Sequence, residues 1–169
     1  MIATDPTYRQ LLRGQGAHVD PVAALEDVSA EVAGRTIPGY PHSIWQMVSH
    51  LNYWMDYELR RIAGNRPHYP EHAIESWPAN IAPATDADWQ QQKAQLARNL
   101  DEFRKLSESG PDVLNAPVEC IHTSEEQRSP NVRAVLWQVL VHNSYHVGQI
   151  ALMLRCFNLW PPRAGGDTW

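Results

Sequence analysis

Apolar residues at Ile44, Val48, Leu51, Met55, Leu59 and Ile62 recur every three or four positions, which marks one face of a helix. A second row, Met47, His50, Trp54 and Tyr57, runs beside it. Ser43 stands where an N-cap belongs, and the helix ends near Gly64. The same period returns in Trp89, Leu96, Leu100, Phe103 and Leu106, opened by Thr85-Asp86-Ala87-Asp88 and closed by Gly110-Pro111. The strongest stripe is the last: Val132, Val135, Leu136, Val139, Leu140, Val147, Ile150, Met153, Leu154 and Phe157 predict a helix from about Asn131 to Phe157 or Leu159, ended by Pro161-Pro162. Two shorter segments precede these. Asp5-Pro6 opens a helix reaching Arg13, and Asp20-Pro21 opens one carrying Val22, Leu25, Val28 and Val32 up to Gly34.

The segments between are rich in proline. Residues 36–42 form a loop, and residues 65–84 and 112–130 form longer connections that exceed the usual loop length. Val118 to Thr123 is the only short strand candidate. The pattern therefore predicts one all-α domain over residues 1–169: four long amphipathic helices in a bundle with long irregular connections.

Composition narrows the function. With a net charge of -5 and no basic block, the chain lacks the patch needed to neutralise nucleic-acid phosphates. No run of about 18 apolar residues is present, so no membrane span is expected. Cys120 and Cys156 are far apart and fit a reducing cytoplasm, with neither a disulfide framework nor a cysteine-based zinc site. The first residues lack the basic and apolar regions of a secretory signal, so a cytoplasmic location is expected.

Candidate chemistry rests on histidine. His142 and His146 are four residues apart, hence stacked on one helix face, on or beside the apolar stripe. Buried imidazoles need partners. Two readings follow: core histidines hydrogen-bonded to neighbours, or ligands to a transition metal. The spacing matches the histidines of an HExxH zinc protease, but Asn143 stands where the glutamate of that motif would follow the first histidine, so the general base of that mechanism is missing. A catalytic metal commonly takes three protein ligands and keeps an open position. His50 is the best third ligand, mid-helix on the row of Met47 and Trp54, whereas His42, His68, His72 and His122 fall in loops and His18 in a turn.

At this point the chain resembles a known family. Ser43-Ile44-Trp45-Gln46-Met47-Val48-Ser49-His50-Leu51 is similar to the second-helix signature of the DinB/YfiT-like superfamily, and Val141-His142-Asn143-Ser144-Tyr145-His146-Val147-Gly148-Gln149-Ile150 to its last-helix motif. Gly16-Ala17-His18-Val19 and the closing Trp160-Pro161-Pro162 through Trp169 resemble one branch of it. The resemblance implies a four-helix bundle with up-down-down-up connectivity, often a homodimer. It also implies a divalent metal (zinc, nickel or iron) held by His50, His142 and His146. Some members are thiol-dependent, which implies a low-molecular-weight thiol as cosubstrate and S-transfer to a small-molecule electrophile, or hydrolysis if water is the nucleophile. A non-enzymatic metal-binding or stress-response dimer is the alternative, since fold alone does not fix chemistry.

Around the triad, His18, Trp54, Tyr145 and Gln149 are the site-lining candidates. His18 reads otherwise as a solvent-exposed loop residue. Gln149, seven residues after His142, reads as a group orienting a ligand histidine or as polar packing. Of the aromatic residues Trp45, Tyr53, Trp54, Tyr57 and Tyr145, most are expected in the core. The tail ending in Trp169 is expected to dock on the bundle or on a partner subunit.

Overall fold

The computed structural model describes residues 7–122 and 130–165. Within them lie six α-helices: α1 (Thr7–Leu12), α2 (Ala30–Ala33), α3 (Ile44–Ile62), α4 (Asp86–Ser107), α5 (Pro111–Leu114) and α6 (Val132–Cys156), with 3-10 turns at Ala23–Leu25 and Ala73–Ser76. The fold is all-helical. No strand occurs among the described residues, and the Val118 region contributes only an isolated bridge between Pro117 and Asn131. The expected Asp5 cap, Thr123 and the Trp169 tail lie outside the described residues.

The long helices start where the sequence provides acceptors for free backbone N–H groups. Ser43 accepts from Gln46 N at 3.2 Å while the Gln46 side chain accepts from Ser43 N, forming a capping box. Thr85 and Asp88 repeat the device on α4, and Asn131 accepts from Ala134 N at 2.9 Å on α6. Each cap is worth about 1 kcal/mol.

The apolar stripes meet in one core. Met47, Leu51 and Met55 of α3, Trp89, Leu96, Leu100 and Phe103 of α4, and Val135, Leu136, Ile150 and Met153 of α6 are all buried in it. α3 packs on both α4 and α6, and α1 touches α4 and α6. Several buried polar groups of the core are matched: Trp89 Nε1 donates to Val28 O at 2.6 Å, and Asn52 donates to Gln92 Oε1 at 2.7 Å while accepting from Asn99 at 3.3 Å. The contacts of Asn52 with Gln92 and Asn99 fix the relative register of α3 and α4 because sliding would leave them unsatisfied.

Two expectations are corrected. Residues 22–34 do not form one helix: Asp20 Oδ1 takes Val22 N at 2.8 Å and starts the 3-10 turn, then Ser29 goes extended (ψ 166°) and caps α2. These local side-chain hydrogen bonds interrupt a helix whose apolar period would otherwise continue, and Leu25 and Val28 are still buried. Gly110-Pro111 ends α4 but also opens α5, with Pro111 in the first turn.

The 65–84 connection is fastened to the start of α3. Ser43 Oγ donates to Ile81 O at 2.5 Å and Gln46 Nε2 to Pro78 O at 3.0 Å. Ala82 approaches α2 so closely that a Cβ at Gly34 would fall 2.5 Å from the Ala82 Cβ. The connection is thereby held over the face of α3 that carries His50.

Candidate metal centre

His50 lies midway along α3, and His142 and His146 stand one turn apart on α6. Because α3 and α6 pack directly, these faces meet. The three ring centroids are 4.8 to 5.1 Å apart, and one nitrogen from each ring lies within 4.8 Å of the others. His50 and His146 are each only 6% exposed. The sequence-predicted triad is therefore brought together.

Hydrogen bonds define which nitrogen of His50 and of His146 is free. Ser76 Oγ donates its single hydrogen to Ala73 O at 2.8 Å, so it accepts from His50 Nδ1, 3.0 Å away. That leaves the lone pair on Nε2 of His50. His146 Nδ1 donates to Gln149 Oε1 at 2.7 Å, which frees Nε2 of His146 in the same way. Nε2 of His142 is 3.2 Å from Nε2 of His50.

The electrostatics keep the rings neutral. Burial, followed by the repulsion of the charges His142 and His146 would carry, lowers the His50 pKa to about 3. Burial and the neighbouring His146 lower that of His142 to about 4. Burial lowers His146 as well, opposed by its bond to Gln149. Neutral imidazole is the form that ligates metal. Metal–nitrogen bonds of about 2.0–2.1 Å place two imidazoles of a tetrahedral ion about 3.3 Å apart. The donor set and its protonation fit a divalent transition metal, and Nε2 of His50 and Nε2 of His142, 3.2 Å apart, have the spacing such an ion requires.

A cavity of about 710 Å³ opens on His50 and His142. Trp54, Glu58 and Tyr69 line one side, Ala73 and Ser76 another, and Trp137, Val141 and Tyr145 of α6 the rim. Trp54 and Tyr145 thus stand where site-lining residues were expected. Gln149 touches the cluster through His146. His18 is placed elsewhere: its Nδ1 donates to Val19 O at 2.7 Å and its Nε2 lies 2.9 Å from Ser144 Oγ. It tethers the segment after α1 to α6 and is not among the cavity-lining residues. Tyr57 is buried and Trp45 packs against the core, as an aromatic row at helical spacing predicts.

Sequence reasoning missed the contribution of the 65–84 connection. Trp77 stacks on His50 with ring centroids 3.9 Å apart and planes 11° from parallel, and His42 stacks on its other face at 3.6 Å and 8°. Ser76 and Trp77 have no periodic pattern to place them. The only signal was the unusual length and tryptophan and histidine content of the connection.

No curated protein and no solved structure matches this chain. A family model does, over residues 20–150, a span that includes α3, α4 and all three histidines. The chain belongs to the DinB superfamily.

Proposed function

We propose that the protein is a metal-dependent enzyme acting on a small molecule, with a divalent ion held by Nε2 of His50, His142 and His146. The observation that carries this reading is the convergence of three neutral imidazoles from two helices beside a cavity, with no fourth protein ligand in the cluster among the described residues. A bound ion would supply Lewis acidity, lowering the pKa of a thiol or water admitted at its open position. The chain's own residues prepare that position. Ser76 and Gln149 hold the proton on Nδ1 of His50 and His146, which keeps both Nε2 atoms available. Trp77 covers His50 and excludes water from that side. The cavity holds the second reactant next to His50 and His142.

The reaction class we favour is S-transfer from a low-molecular-weight thiol to an electrophile, with hydrolysis as the water-dependent counterpart. The helices α1, α3, α4 and α6 would form the four members of an up-down-down-up bundle, a reading supported by the contacts of α1 with α4 and α6. Conjugation of a chromogenic electrophile, followed with several small thiols in protein loaded with zinc, nickel or iron, tests the reading. Turnover that disappears in His142→Ala supports it. Glu58 is the one carboxylate lining the cavity among the described residues, and Arg61 holds it. This favours a second reading, a metal-binding protein without turnover, which predicts metal-dependent melting and no conjugation with any pair.

A further inference from the structure

His50 and His142 form part of the cavity wall, so a ligand seated in the cavity lies beside two of the three proposed metal ligands. The ligands are imidazoles, neutral when they coordinate, and no carboxylate joins their cluster among the described residues. The cluster therefore offsets none of the positive charge of a divalent ion. Nor does the rest of the wall. Glu58, the one carboxylate lining the cavity among the described residues, is 2% exposed and bound to Arg61: Arg61 Nε donates to Glu58 Oε2 at 2.9 Å, and Nη2 lies 2.7 Å from the same oxygen. That pair carries no net charge, and eight residues of helix, about 12 Å along α3, separate Glu58 from His50. The remaining wall is largely apolar, with aromatic surface from Trp54, Tyr69, Trp137 and Tyr145. At the mouth, Trp137, Val141 and Tyr145 follow one another at four-residue spacing and are 55%, 50% and 65% exposed. Large apolar side chains grouped at the rim of a cavity mark a surface made to be covered by a ligand.

We infer that the cavity between α3 and the rim of α6 takes a small organic anion with an aromatic body, its anionic group directed to the proposed ion beside His50 and His142 and its ring against Trp54, Trp137 and Tyr145. An anion meets the charge that the three imidazoles leave uncompensated, in surroundings where attraction between opposite charges is strong. A cation would be repelled by that charge and would find the only carboxylate of the described wall already held by Arg61. The aromatic body adds ring–ring contacts to the burial of apolar surface. This inference rests on the proposed metal centre and gives the reactant held in the cavity a chemical class.

Calorimetric titration of the full chain, zinc-loaded and metal-free, with zinc content measured on every sample, tests it. The probes are 2-naphthoate, 2-naphthylmethanol, which keeps the ring and removes the charge, and acetate, which keeps the charge and removes the ring. In zinc-loaded protein 2-naphthoate is expected to bind most tightly, with the alcohol and acetate each weaker by on the order of tenfold or more. Without zinc the naphthoate should weaken by a similar factor of about ten while the alcohol changes little. Trp137→Ala and Tyr145→Ala, both at exposed positions that leave the core and the histidines intact, should keep the zinc and each weaken the naphthoate by about tenfold. A wild type that takes up no zinc would overturn the proposed function and this inference together. Zinc uptake with the alcohol or acetate bound as tightly as the naphthoate, or with naphthoate indifferent to zinc, would overturn the inference and leave the metal centre standing. So would an unchanged naphthoate affinity in both rim variants at wild-type zinc content.

Discussion

Ser76 Oγ sits 3.0 Å from Nδ1 of His50 and gives its own hydrogen to the carbonyl of Ala73. A residue of the long connection thereby sets the tautomer of a histidine on α3. Ser76→Ala removes the acceptor and leaves the buried Nδ1–H without its partner. Metal affinity measured by chelator competition should fall by about tenfold or more, the usual effect of losing such a group. Unchanged affinity would show that Ser76 only fills space.

Gln149 makes the equivalent contact on His146, at 2.7 Å. Gln149→Leu should weaken metal binding by about tenfold, whereas Gln149→Glu, which keeps an acceptor, should retain it. Equal losses in the two variants, read in the same competition, would contradict an orienting role.

The histidines also make stability depend on pH. In the metal-free protein His50 and His142 have pKa values of about 3 and about 4, against 6.5 as the ordinary value. Between those values and 6.5 the unfolded chain binds more protons than the folded one, so stability rises with pH. The contribution is fully present above pH 6.5 and is lost as pH falls through the window towards 4 and then 3. Urea midpoints of metal-free protein should therefore decline from pH 7 to pH 5, and the decline should be shallower in His142→Leu. An identical slope in that variant would rule out His142 as a contributor.

Trp89 buries its whole ring and donates to Val28 O at 2.6 Å. Trp89→Phe deletes the donor and part of the volume, leaving the carbonyl unsatisfied. A loss of about 2–4 kcal/mol is expected in denaturant unfolding, from the unmet acceptor together with the cavity. Metal affinity, once corrected for unfolding, should not change.

The helices and the triad were legible because both are periodic. Ile44 to Ile62 and Val132 to Cys156 carry stripes long enough to define a face, and His50, His142 and His146 fall on those faces. The interruption at Ser29 was not legible, because a single side-chain hydrogen bond to Val32 N outweighs an apolar period that continues on both sides. Trp77 and Ser76 escaped notice for a related reason. Their positions follow from tertiary anchors, Ser43 to Ile81 and Gln46 to Pro78, between segments more than 30 residues apart. His18 shows the opposite case: its neighbourhood matched a family pattern, yet its bond goes to Ser144.

The proposed centre holds one ion per chain on three imidazoles. Elemental mass spectrometry of untagged wild type beside His50→Ala and His142→Ala, after incubation with zinc or nickel and removal of excess, tests it directly. About one ion per chain is expected in the wild type and a large loss in both variants. No ion in the wild type, or the same content in all three, would contradict it.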